Sequence, residues 1–303
     1  MRKLLVLLLF LSSVLSVAAQ SKTYQFADRD GEKLHLDFYT PYEVNDSTIC
    51  VMFIFGGGFV NGARNEDYIV EYCKNLQKEG FQVASIDYRL GLKGVKGLSP
   101  TNYKPLAKAV DMATEDAISA LAYLVGHADE LRVNKDKIVL VGSSAGAITA
   151  LQTDYALCNG FLNSSELPSD FRLAGVVSYS GAIFSTIGKV KYRQHDPAPT
   201  MFMHGKEDKL VPYKQMKFFK IGFYGSSKLA EIFKKKELPY RIQRYEGYGH
   251  AVALGFTVTI DELQWFCNHY VLRKEALQID YTYYDMKAVY PEFDKVKATE
   301  MYK

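Results

Sequence analysis

The hydrophobic rhythm of the chain changes twice. Near the N-terminus Leu34, Leu36 and Phe38 alternate with His35, Asp37 and Tyr39, the period of a half-buried antiparallel strand. Asp30-Gly31 lies between this run and Tyr24–Phe26, which predicts a hairpin. Alternation then gives way to short, nearly unbroken apolar runs at Ile49–Phe55, Phe81–Asp87, Lys137–Gly142, Ala174–Ser180 and Thr200–His204. Such runs suit strands buried on both faces of a parallel sheet. Helical spacing predicts helices over Glu66–Glu79, Lys108–Ala128, Ala147–Leu157, Ser227–Lys236 and Thr257–Leu272, with a last strand, Tyr240–Tyr245, before the final helix. Strands alternating with helices predict an α/β protein: a mostly parallel, doubly wound sheet with an antiparallel N-terminal hairpin and helices on both faces.

Composition excludes several alternatives. The 303 residues are 48% hydrophobic and 23% charged, with 37 Lys+Arg against 34 Asp+Glu. That balance is of an ordinary globular protein, not of a disordered chain or a small disulfide scaffold. It also lacks the clustered basic excess that binding to nucleic acid needs, so none is expected as a partner.

The first segment accounts for most of the positive charge. Arg2 and Lys3 precede the apolar run Leu4–Leu11, and Val17 and Ala19 sit at the small positions before Gln20. This is the layout of a cleavable secretory signal, and the apolar stretch is shorter than the roughly 20 residues of a membrane-spanning helix. Removing Arg2 and Lys3 leaves 35 bases against 34 acids, a net charge of +1. No later segment reads as a membrane span. The expected organisation is a signal peptide at 1–19, one α/β domain at 20–274 and a C-terminal extension of unknown role at 275–303, with the mature protein secreted or periplasmic. Cys50, Cys73, Cys158 and Cys267 show no metal-type spacing, and buried free thiols explain them as well as bridges do.

Chemistry gathers at three strand ends. Gly142-Ser143-Ser144-Ala145-Gly146 follows one predicted strand and opens a helix. A strand-to-helix turn of the form G-x-S-x-G lifts the central hydroxyl above the sheet edge, which makes Ser144 the candidate nucleophile. A phosphate-cradling loop would instead call for G-x-G-x-x-G or a Lys after the last Gly, and neither is present. Phe55-Gly56-Gly57-Gly58-Phe59 follows another strand. Its backbone N–H groups at Gly57 and Gly58, with that of Ala145, are candidates for an oxyanion hole.

A serine hydroxyl needs an imidazole to take its proton and a carboxylate to hold the imidazole's tautomer. The chain order in this architecture is Ser, then acid, then His. His250, in the turn after Tyr240–Tyr245, is the candidate base, and Asp208, after Thr200–His204, the candidate acid. Glu207 and Asp196 are rival acids, and His204 reads as a structural residue at a strand end. No cofactor or metal ligand set is apparent.

Together the GGGF loop, Asp87-Tyr88-Arg89-Leu90, the GSSAG turn, the HGKEDKLVP segment and the YGH turn resemble the α/β-hydrolase carboxylesterases and lipases. The likeness runs from about Leu34 to Leu272 and is strongest to the hormone-sensitive-lipase-like and feruloyl- or acetylxylan-esterase-like branches. It implies a Ser–His–Asp triad and cofactor-free hydrolysis of a small-molecule or polysaccharide-linked ester. Phe55 stands where the HGGG form of the motif carries His, which leaves the branch open. Asp87 and Arg89 would then support the wall of the site. A serine peptidase on the same fold and a non-catalytic binding protein are the alternatives. Arg89, Lys93, Lys96, Lys104 and Lys108 fall in a stretch, Tyr88–Val110, with no acidic residue. They would attract an acidic substrate or, as charge runs usually do, simply face solvent. Lys217–Gly225 is a candidate lid segment.

Overall fold

A computed structural model of the chain describes residues 20–99 and 101–285. The expected signal peptide at 1–19, residue 100 and the tail beyond 285 lie outside these residues. The chain runs through β1 (Gln20–Arg29), β2 (Glu32–Thr40), β3 (Cys50–Ile54), α1 (Asp67–Lys78), β4 (Gln82–Ile86), α2 (Lys104–Gly126), the single turn α3 (Ala128–Leu131) and β5 (Ile138–Ser143). It continues through α4 (Ala145–Leu157), β6 (Gly175–Tyr179), β7 (Ala182–Ser185), β8 (Thr200–Gly205), β9 (Gln215–Phe218), β10 (Ile221–Gly225), α5 (Ser226–Lys235), β11 (Tyr240–Tyr245), α6 (Ile260–Phe266) and β12 (Gln278–Tyr283).

Nine strands form the main sheet in the order β1-β2-β4-β3-β5-β6-β8-β11-β12. The β1–β2 and β2–β4 pairs are antiparallel, and every pair from β4 to β12 is parallel. All residues of β3, β4, β5, β6 and β8 are buried, which is why these strands read as continuous apolar runs. Helices cover the sheet: α2 packs on α4, while α1 lies with the 250–257 turn. α4 is buried from Ala145 through Ala156, between the sheet and α2. Its small and apolar residues all round reflect that it has no solvent face.

The structure changes the expected elements in four places. α2 begins at Lys104 rather than 108, with Pro105 in its first turn, where a missing N–H costs nothing. The helix expected over 257–272 is instead a 3₁₀ segment, His250–Thr257, then α6, then a wide turn over Cys267–Leu272. β7, β10 and β9 form a separate three-stranded antiparallel sheet, and the candidate lid segment lies mainly in its β9–β10 hairpin, with Phe219 exposed at the tip. The extension expected to begin at 275 supplies β12, so the sheet runs past the 274 boundary. β12 pairs in parallel with β11, the Tyr283 ring stacks on Tyr245 at 5.3 Å, and Asp280 pairs with Arg244 at 2.6 Å. All four cysteines are buried and unbridged.

Candidate active site

The turn between β5 and α4 is built by steric exclusion. Ser144 has φ 51° and ψ −115°, a backbone state that side chains other than glycine rarely adopt. Its neighbours leave it no choice. A Cβ on Gly142 would lie 2.2 Å from the Gly146 carbonyl oxygen, and one on Gly146 would lie 2.0 Å from that of Ile54. Glycine at both positions lets strand, helix and β3 meet at van der Waals distance. Tyr179, at the end of β6, accepts the Ser144 N–H at 2.9 Å, and the Ser143 hydroxyl donates to the Ala253 carbonyl at 2.7 Å. The second bond ties the serine turn directly to the segment that carries His250.

His250 and Asp208 come from different strand ends, and the backbone zips those ends together. The N–H groups of Lys206 and Glu207 donate to the carbonyls of Tyr245 and Tyr248, both at 2.9 Å. Gly205 makes this approach possible, since a Cβ there would lie 2.3 Å from the carbonyl oxygens of Tyr248 and Gly249. The Ser144 Oγ is then 2.8 Å from His250 Nε2, and His250 Nδ1 is 2.7 Å from Asp208 Oδ2. The carboxylate assigns the proton to Nδ1, leaving Nε2 to accept from the serine hydroxyl. Asp208 is therefore the acid that meets His250. Asp196 instead pairs with Lys236 at 3.6 Å, and Glu207 is exposed.

The Asp208 side chain has no solvent exposure. Burial alone would raise its pKa, but hydrogen bonds from His204 and His250 outweigh it and hold the carboxyl well below the usual range. Oδ1 accepts the N–H groups of Leu210 and Val211 at 2.9 and 3.0 Å. On Oδ2 a second imidazole appears: His204 Nε2 lies 3.1 Å from it. His204 is thus not a bystander at a strand end. Its ring is fully buried, and Ser226 Oγ, at the start of α5, lies 2.8 Å from its Nδ1. Sequence reasoning missed this contact and Ser226. The i,i+4 spacing of His204 and Asp208 across a strand end was the available signal.

The glycine loop after β3 lies against the serine turn, where a Cβ on Gly56 would be 3.4 Å from Ser144 Cβ. Gly57 and Gly58 have φ of 104° and 63°. Tyr88 pins the loop: its hydroxyl donates to the carbonyls of Phe55 and Gly56 at 3.0 and 2.9 Å, and its ring stacks on Phe55 at 4.4 Å. Phe55 thus fills the place of the motif's His by packing. Among the described residues no backbone acceptor takes the N–H of Gly57, Gly58 or Ala145, the last at the open start of α4. Donors of this kind beside a buried Ser–His–Asp chain form a site suited to acyl transfer.

The remaining candidates fall into place around it. Asp87 accepts from Arg64 at 2.8 Å and from the His35 N–H at 3.0 Å, and Arg89 binds Asp116 and Glu115, so both brace the wall. Lys93 and Lys96 face solvent. Lys104 and Lys108 line a 910 Å³ cleft beside Asp111 and Glu115, so the cleft is of mixed charge rather than basic. Among the described residues no helix is long and apolar enough to cross a membrane, and no cluster of three or more His, Cys, Asp or Glu is placed to hold a metal ion.

Comparison with known proteins agrees with this geometry. Residues 36–183 match the BD-FAE family, a span that holds the glycine loop and Ser144. Over 114 residues, 37% of the chain, the sequence is 32% identical to the acetyl esterases of Salmonella paratyphi B and Salmonella agona. The match spans 30% of the length of those relatives. Esterase 2 of Thermogutta terrifontis has a similar fold, with a TM-score of 0.59 and 20% identity over 86% of this chain and 93% of that one. Its butyrate-bound form gives 0.58 and 21%, over 82% of this chain and 93% of that one. In sheet order and in its strand-to-helix serine turn the chain has the α/β-hydrolase fold, and the proteins it is similar to are esterases.

Proposed function

We propose that the chain hydrolyses carboxylic esters through an acyl-enzyme, with Ser144 as nucleophile, His250 as base and Asp208 as the acid that orients it. The observation that carries this is the unbroken hydrogen-bonded chain from Ser144 Oγ through His250 to Asp208, set beside loop and helix N–H groups that no backbone acceptor takes among the described residues. His250 Nε2 takes the Ser144 proton as Oγ attacks the ester carbonyl. The developing oxyanion is received by the N–H groups of Gly57, Gly58 and Ala145. His250 then protonates the leaving alcohol, and water repeats the sequence on the acyl-enzyme to release the acid. Asp208 stays ionised throughout, because two imidazole donors and two backbone donors stabilise its charge.

The substrate is proposed to carry a short acyl group on a carbohydrate or similar polar alcohol. Support comes from the acetyl esterase relatives and from the fold neighbour that binds butyrate. The basic stretch Tyr88–Val110 supplies no argument for an acidic polymer, since its Lys104 and Lys108 stand beside Asp111 and Glu115 in a cleft that the triad residues do not line. The enzyme is proposed to act outside the cytoplasm, since residues 1–19 have the composition of a secretory signal.

Aryl esters of increasing acyl length, acetylated xylan and methyl ferulate, assayed with wild type and S144A, test the proposal. Turnover of acetyl and butyryl esters by the wild type alone is expected. A well-folded wild type inactive on every member would refute it.

A further inference from the structure

We infer that His204 is a positioning residue for the triad, tying the Asp208 carboxylate to strand β8 so that Oδ2 stays in line with His250. This builds on the proposed ester hydrolysis.

Four donors surround the carboxylate, and they are not equivalent. The two on Oδ1 are N–H groups of Leu210 and Val211, in the same turn as Asp208 itself, and they move with it. His250 is the partner to be oriented. That leaves His204 as the donor on Oδ2 that comes from the sheet, since it lies within the fully buried strand β8. The tautomer follows from its neighbours. Nε2 lies 3.1 Å from both Asp208 Oδ2 and the Val211 carbonyl, two acceptors, so Nε2 carries a proton. Ser226 Oγ, 2.8 Å from Nδ1, completes the ring's bonding and fixes its plane.

The network therefore runs Ser226–His204–Asp208–His250–Ser144, from the start of α5 to the nucleophile. Without the His204 N–H, Oδ2 would keep one side-chain donor in a site closed to water, and the turn would be free to carry the carboxylate out of line. A displacement of about 1 Å at such a position costs on the order of 100-fold in rate. His204 touches neither substrate nor reacting atoms in this scheme and acts only through Asp208.

The test compares H204L, H204Q and S226A with wild type on a short-chain aryl ester, each with a thermal melt. Gln places an amide N–H near the position of Nε2, whereas Leu fills the space without a donor. H204L is expected to lose roughly 30- to 100-fold in kcat with little change in KM, and H204Q to stay within about five-fold of wild type. S226A, which keeps the imidazole but frees its plane, is expected to fall between them. The low-field proton resonance of the His250–Asp208 bond should shift in H204L and persist in H204Q. A purely structural His204 would lower Tm in both variants and leave kcat and the resonance unchanged, which would overturn the inference. Wild-type kcat in S226A overturns it also where H204L does not fold. A wild type without esterase activity defeats the functional proposal itself, so the two failures are distinguishable.

Discussion

The proposed nucleophile and its proposed base are held by opposite strategies. Ser144 sits in five contiguous residues whose geometry is dictated at short range, by glycines that admit the backbone of β3 and of α4 itself. His250 and Asp208 are 42 residues apart, and their meeting depends on cross-loop hydrogen bonds, on the close approach at Gly205 and on His204. The first half of the site is a local motif made rigid by exclusion. The second is a long-range assembly made rigid by polar contacts in a closed pocket. The family match to 36–183 covers the first half and stops before the second.

That contrast makes graded predictions. The largest effect is expected from G146A, whose new methyl would meet the Ile54 and Phe55 carbonyls at 2.0 and 2.4 Å. Nothing flexible stands there to yield. A loss of about 3 kcal/mol or more in stability and near-complete loss of activity are expected, read by denaturant unfolding and ester turnover. D208N should fold normally yet lose on the order of 10³–10⁴ in kcat, because an amide no longer enforces the His250 tautomer. G205A acts on the assembly itself by pushing β8's end from the Tyr248 and Gly249 carbonyls. A drop of roughly 10- to 100-fold in kcat is expected, with a smaller stability loss than G146A. Equal damage from G205A and G146A would erase the distinction between the two halves.

The smallest effect lies away from the site. Asp154, in α4, is buried, and burial pushes its carboxyl up to about 7, against hydrogen bonds from the Ala198 N–H and Cys158 that lower it. The folded state therefore binds a proton that the unfolded state releases near pH 4. Stability falls as pH rises from about 4 to 7 and then levels off. D154N removes that loss while keeping the acceptor oxygen. Its Tm should exceed that of wild type by several degrees at pH 8 and by little at pH 4, read by melts at both pH values.

Legibility in the sequence followed the same divide. β3, β5, β6 and β8 stood out because burial on both faces leaves an unbroken apolar run, and the serine turn stood out because its five residues are adjacent. Asp208 and His250 were reachable by chain order and strand-end position. β12 was not, because an edge strand with Asp280 and Tyr281 exposed carries neither an apolar run nor clean alternation. β7, β9 and β10 are four or five residues each, too short for a period to register. His204 was visible as a residue but not as a partner of Asp208. Its role depends on Ser226, 22 positions later, and no periodicity carries that contact.

The central claim is that Ser144 is an activated nucleophile in a working Ser–His–Asp chain. It is tested most directly by labelling the folded wild type, S144A and H250A with a fluorophosphonate and mapping the adduct by peptide mass spectrometry. The account predicts one adduct, on Ser144, absent from S144A and strongly slowed in H250A. An adduct on another residue, or none on a well-folded wild type, would contradict it.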